Sequence, residues 1–325
     1  MSALIMAAEI IFHESRGRIG FSMRRVSEIH VEKSWQEFTG TAEIVLPRNV
    51  RDFDRIEADK LFELGDPVTI KFGYGVGEIP TEFEGYISDV ADGVPYRIKC
   101  EDEMFKLKRG AVTISKKGIT LKDLLKEIAP GYEVECPDVP LGTVRYTNVA
   151  PVEILENLKK ELGIYTYFVG KVLHSVDGNS QGGDTIKVLL ERNAVSENLN
   201  KKSKADEKIL VKFKSLQRNG KYITFEIGDK NGTTQIRNWP YLTQSEIEVR
   251  AKRIIELQKT KGFDGTITLF GIPRATQGMK ISLNSLFYKN MNGTYYIDKV
   301  VKDFSKEGIR QQITIGNKAQ SHTAL

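Results

Sequence analysis

At both ends of the chain, apolar and polar residues alternate with a period of two, and turn residues interrupt the alternation at short intervals. In "SEIHVEKSW" (Ser27 to Trp35) Ile29, Val31 and Trp35 carry the apolar side; in "GTAEIVLP" (Gly40 to Pro47) Ala42, Ile44 and Leu46 carry it. Successive side chains of a strand point to opposite faces, so this period fits half-buried strands and not helices. Further strands are expected at Pro67 to Phe72, Glu82 to Val90 and Tyr96 to Cys100, with turns at Gly65-Asp66, Gly73 to Gly77 and Asp92-Gly93. Short strands with no helix between them predict a sandwich or barrel. Between Pro47 and Gly65 the alternation lapses into "RNVRDFDRIEADKLFEL", too long for a tight hairpin.

The last sixty or so residues return to strands, in "FDGTITLFG", "GMKISLNSLFY", "GTYYIDKVVKDF" and "IRQQITIG". Two stretches echo the first part: "FEGYISDV" (Phe83 to Val90) resembles "FDGTITLF" (Phe263 to Phe270), and "LGDPVTIKF" (Leu64 to Phe72) resembles "QGMKISLNS" (Gln277 to Ser285), in reversed order.

Helical spacing is confined to the middle. Thr120 with Asp123 three residues on opens "TLKDLLKEIAPG", whose Leu121, Leu124, Leu125 and Ile128 share a face. Pro151 stands in the first turn of "APVEILENLKKELG", which Gly163 ends. A third helix starts at the Thr243–Glu246 capping box. Strands are expected at Ile164 to His174, Thr185 to Leu190, Ile209 to Ser215 and Tyr222 to Ile227, and a solvated linker at Asn200 to Lys208.

At 325 residues the chain predicts two or three domains. A net charge of +5, from 48 basic and 43 acidic residues, does not by itself call for nucleic acid. Cys100 and Cys136 stand alone, against a disulfide framework or a thiolate zinc site. "ALIMAAEIIF" lacks a basic start and reads as a strand rather than a leader, and no run approaches the roughly 20 apolar residues of a membrane span, so folding in a cytoplasm without membrane anchoring is expected.

Candidate chemistry is sparse. Gly73-Tyr74-Gly75-Val76-Gly77 follows one strand and leads into another, whereas a phosphate loop opens a helix; a hairpin corner is expected, with Gly73 and Gly75 in conformations closed to other residues. His13, His30 and His174 fall in strands and His322 in the C-terminal tail, without the neighbours of a catalytic triad. Glu101-Asp102-Glu103 is the densest acidic cluster, read as a solvated first helical turn. No catalytic, cofactor or metal residue is assigned.

Taken in order, "VSEIHVEKSWQEFTGTAEIVLP", "LFELGDPVTIKFGYG", "FEGYISDV", "IKCEDEMFKLKR", "TLKDLLKEI", "ILENLKKELGIYTYFVGKVL", "SEIEVRAKRII", "FDGTITLFGIPRATQGMKISL" and "NGTYYIDKVVKDFSKEGIRQQITIG" resemble the baseplate hub of contractile phage tails. This is the late-control protein D family, which includes the N-terminal part of type VI secretion VgrG proteins. The resemblance implies a mainly β fold with an α+β insert: two tail-tube-type β-barrels, at 1–108 and 205–320, flanking a small α+β domain at 109–204, with 321–325 as a tail. It implies a homotrimeric ring joining a sixfold tail tube to a threefold spike in a virion or phage-tail-like particle, with other baseplate proteins as neighbours and a lumen open to DNA passage.

In the same family the loop from Pro47 to Gly65 meets the next ring, which makes Arg48, Arg51, Asp52, Asp54 and Arg55 interface candidates beside the alternative of a solvated loop. Family members continue into a needle; this sequence finishes its last strand at Gly316, so the spike is expected to be a separate protein. Two other classes stay open: a tail-associated peptidoglycan hydrolase, and an OB-like binder of single-stranded nucleic acid, which would bind with steep salt dependence.

Overall fold

The structure, a computed structural model, describes residues 5–47, 61–75, 78–91, 93, 95–176, 183–202, 208–217, 219–239, 241–258 and 262–319. A first set of strands comprises β1 (Met6–Phe12), β2 (Phe21–Met23), β3 (Glu28–Ser34), β4 (Thr41–Leu46), β5 (Pro67–Tyr74), β6 (Thr81–Ala91) and β7 (Tyr96–Glu101). The middle holds α1 (Met104–Leu107), β8 (Val112–Thr120), α2 (Leu121–Ile128), β9 (Glu133–Glu135), β10 (Pro140–Val149), α3 (Pro151–Asn157), β11 (Tyr165–Val169) and β12 (Val172–Val176). Next come β13 (Thr185–Leu189), α4 (Leu190–Asn193), β14 (Ala194–Lys202), β15 (Ile209–Leu216), β16 (Tyr222–Gly228), β17 (Thr233–Asn238) and α5 (Gln244–Gln258). The chain closes with β18 (Gly262–Phe270), β19 (Lys280–Asn284), β20 (Gly293–Ser305) and β21 (Gly308–Lys318).

The expected pair of tail-tube-type barrels does not form. Among the described residues no sheet closes: one open sheet of 13 strands runs β14-β18-β21-β20-β3-β4-β7-β6-β5-β1-β2, with β19 and β13 joined beside β20. A barrel needs its last strand to hydrogen-bond to its first. Here β3, at the end of the first set, gives its outer edge to β20 instead of curling round to β1. The fold is therefore a mixed α and β arrangement dominated by strands.

Within this sheet the two ends of the chain use one strand order. With the short β2 left out of the count, the first set reads β1-β5-β6-β7-β4-β3 and the last reads β13-β19-β20-β21-β18-β14, so each six-strand set places its first, fourth, fifth, sixth, third and second strand side by side. Neighbours are antiparallel in both sets except β13 with β19, which are parallel. The order corrects one sequence echo: β19 does correspond to β5, but the counterpart of β6 is β20, not β18. With that exchange the apparent reversal disappears.

The two sets meet at β20. Its inner half pairs with β19 through Gly293 to Tyr296, and farther along Lys299 to Phe304 pairs with β3 from Ser34 to Ile29. Ile309 from β21 packs into the core of the first set, with Ile10, Ile44, Ile70 and Phe72. A second core fills the last set around Ile267, Ile281, Tyr295 and Ile313. The third joins the middle elements to β15 and α5, burying Leu124, Ile154, Leu173, Phe213, Trp239 and Ile247 together.

Local signals account for the helices. Thr120 caps α2: its hydroxyl oxygen accepts the Asp123 amide, and the Asp123 carboxylate accepts the Thr120 amide. Pro151 opens α3, which continues as a wider π turn from Leu158 to Leu162 and ends at Gly163 in the left-handed conformation, φ 67°. Thr243 and Glu246 form the expected reciprocal bonds ahead of α5. The single strand expected over Ile164 to His174 is instead a hairpin, β11 and β12, turning at Gly170. In the opening hairpin Gly75 does take positive φ, 128°, whereas Gly73 sits in the β5 ladder, where a Cβ would lie 2.8 Å from the Pro80 ring.

Candidate functional site

Strand alternation along β6 and β20 is broken by bulges, and the breaks bring charges to the junction of the two sets. In β6, Phe83 pairs with Ile70 and Thr81 with Lys71, which leaves Glu82 as an extra residue turned inward beside Phe83. In β20 the register shifts between Tyr295 and Lys299; before the shift Tyr295 and Ile297 face in, after it Val300 and Lys302 do. Glu82 and Lys302 thus meet at the seam with 7% and 9% of their side chains exposed.

Each Glu82 carboxylate oxygen has a partner. Lys302 Nζ donates to Oε2 at 2.5 Å, and Arg274 Nε donates to Oε1 at 2.8 Å while its Nη2 reaches the Thr81 carbonyl at 2.8 Å. Burial pulls the Lys302 ammonium below the ordinary lysine range, and Glu82 opposes the pull. Arg274 stands on the turn before β19, which the fully buried Gln311 secures: its Oε1 accepts the Ala275 amide and its Nε2 donates to the Pro273 carbonyl. Lys33 of β3, Arg274, Lys302 and Glu82 line one cavity of 310 Å³.

Around it, further bonds cross from one set to the other. Trp35 Nε1 donates to Asp298 Oδ1 at 2.9 Å, Lys299 pairs with Glu32 at 2.6 Å, and the Tyr74 hydroxyl accepts the Ile309 amide at 3.1 Å. His30 Nδ1 lies 2.7 Å from Asp303 Oδ1, a hydrogen bond that raises the imidazole pKa against the opposing effect of burial.

The interface candidates Arg48, Arg51, Asp52, Asp54 and Arg55 lie outside the described residues, as does His322. His13 meets the Thr69 hydroxyl, and His174 stacks on Tyr167 within 3.2 Å of Glu135. The acidic cluster before α1 is not solvated as expected. Asp102 accepts the Gly40 and Met104 amides, and enclosure raises its carboxyl pKa to about 7. Buried Glu103 accepts hydrogen bonds from the Tyr86 and Tyr132 hydroxyls and sits 3.2 Å from Lys106 Nζ. Among the described residues no group of three or more His, Cys, Asp and Glu could hold a metal, and no helix is long and apolar enough to cross a membrane.

A second feature faces outward. Between β19 and β20, Leu286, Phe287 and Tyr288 are exposed in succession. Glu191 of α4 holds them in place from 95 residues away: its Oε1 accepts the Ser285 hydroxyl and the Leu286 amide, and Ser285 Oγ in turn accepts the Tyr288 amide.

No family model matches the chain, and no curated protein matches it. Solved structures do. A tail protein from Neisseria meningitidis MC58 superposes with a TM-score of 0.67 at 14% identity, covering 95% of this chain and 96% of that one. The 43 kDa tail protein of prophage MuSo2 from Shewanella oneidensis gives 0.63 at 13% identity, covering 97% of each. An E. coli component of the type VI secretion system, described as structurally similar to bacteriophage T4 tail proteins, gives 0.58 at 11% identity, covering 91% of this chain and 74% of its own. At such identities the shared property is the fold, which extends over 91–97% of this chain.

Proposed function

We propose that the chain is a non-enzymatic structural subunit of a phage tail or phage-tail-like particle, placed in the baseplate hub. The observation that carries this is similarity over the full length in both directions: the fold of the Neisseria and Shewanella tail proteins accounts for 95% or more of this chain. Three copies form a ring that adapts the sixfold tail tube to a threefold spike. Arg48, Arg51, Asp52, Asp54 and Arg55 contact the neighbouring ring. Closed point-group symmetry satisfies the outer edges of β2 and β14 against neighbours rather than leaving them open to indefinite pairing.

Sedimentation of the chain alone and mixed with the tube protein of its own particle tests the proposal. Trimers that bind the tube protein are the expected result, and charge reversal at Arg48, Arg51 and Arg55 together weakens that binding without disturbing the trimer. A chain that stays monomeric in the presence of the tube protein, or that clears peptidoglycan in a zymogram, overturns it.

A further inference from the structure

Lys33 shares the seam cavity with Arg274 and Lys302 but differs from them in its contacts. Glu82 is the one carboxylate among the residues lining the cavity, and both its oxygens are occupied by Arg274 and Lys302. Among the described residues none accepts a hydrogen bond from Lys33 Nζ or forms an ion pair with it; the Phe83 ring lies beneath it, 5.9 Å to the centroid. The charges that reach it are Lys302, which repels it, and Glu82, Asp102 and Glu84, which attract it without contact. Burial first and Lys302 second lower its proton affinity.

Three cations against one carboxylate leave the cavity wall with two positive charges in excess. Charges of like sign repel more strongly away from bulk water, so holding this excess is a cost to the empty fold. The donors are also incompletely used. Lys33 has all three N–H groups available, Lys302 keeps two after its bond to Glu82, and Arg274 keeps those of Nη1. Arg274, half exposed at 52%, stands at the mouth, where a group attached to a bound anion would emerge.

We propose that the seam cavity is a binding site for a phosphate-class dianion, held by Lys33, Arg274 and Lys302. The volume of 310 Å³ admits phosphate with room for part of an ester. Charge-assisted bonds from lysine and arginine suit its oxygens, and two negative charges cancel the excess. Because β3, β20 and the turn before β19 each contribute one of the three cations, an occupied site ties the two strand sets together. The proposal stands independently of the hub assignment, since it rests on these side chains alone.

The test is calorimetric titration of the full chain with inorganic phosphate, at fixed ionic strength balanced with chloride, alongside the 15N shift of Lys33 Nζ. Saturable binding with a stoichiometry of one and a moving Lys33 Nζ signal are expected. Lys33→Met is expected to weaken binding about tenfold or more, the worth of one charge-assisted bond, while raising the melting temperature of the ligand-free chain. A second arm uses a nucleoside monophosphate: tighter binding than inorganic phosphate assigns the site to esters, equal or weaker binding to the free ion. Absence of saturable heat in the wild type, or equal affinity in Lys33→Met, overturns the proposal. Should that variant fail to fold, an unmoved Lys33 Nζ signal at high phosphate in the wild type overturns it equally.

Discussion

At the scale of single residues, carboxyl groups next to α1 make the clearest demands. An aspartate titrates near 4 in an unfolded chain, and Asp102 holds its proton to about 7 in the fold. The folded state therefore binds that proton more tightly. The stability it contributes is complete below about pH 4 and is lost as pH rises through about 7. Asp102→Asn cannot ionise, so its stability relative to wild type should improve between pH 5 and pH 8, read from urea unfolding at the two values. It starts lower, because one amide bond now faces a nitrogen. Gln311 poses the opposite case, a neutral polar group in the apolar row Ile309, Ile313, Ile315. Gln311→Leu leaves the Ala275 amide and the Pro273 carbonyl without partners, and about 2–4 kcal/mol of stability should be lost, measured by chemical denaturation. That row was visible in "IRQQITIG", where alternation alone sets Gln311 among isoleucines. Glu103 was not: "CEDEMF" reads as a water-facing helix start, and only the approach of Tyr86 and Tyr132 from other elements shows the carboxylate enclosed.

At the scale of elements, burial decided what the sequence could reveal. Strands with one covered face, such as β3 and β21, write that face into the alternation. Strand β14 lies at the sheet edge with most of "AVSENLNKK" in water, so it carries no alternation and its end was read as a linker. The hairpin between β11 and β12 was missed because Gly170-Lys171 lies inside an apolar run, without the Asn-Gly or Asp-Gly signal. Bulges hid the seam. Plain alternation from Tyr295 and Ile297 would turn Lys299 and Val301 inward, and alternation back from Phe83 would turn Glu82 outward; each bulge shifts the phase and reverses the outcome. The turn that presents Leu286 and Phe287 depends on one carboxylate from another element. Glu191→Ala should therefore speed hydrogen exchange at the Leu286 and Tyr288 amides while leaving β19 protected, as mass spectrometry or NMR would show.

At the scale of the whole molecule, the strands of both ends were legible, and their arrangement was not. Local pattern specifies which residues form strands, while closure depends on where an outer edge finds its partner. For β3 that partner comes from β20, about 270 residues away. The seam then couples the two sets through Glu82. Glu82→Ala leaves Lys302 buried without its counter-ion, and a loss of about 3–5 kcal/mol is expected, with the unfolding transition of the last strand set separating from that of the first in calorimetry. Glu82→Gln, which retains an acceptor for one cation, should lose less.

The bulge at Glu82 also has a genetic meaning. One codon separates a strand that pairs without interruption from one that turns a carboxylate toward Lys302. A single in-frame deletion there would restore regular pairing to β6 and empty the acidic side of the seam in one step. Length and charge at this position are thus inherited together, and a relative lacking that residue should also have replaced the lysine it neutralises.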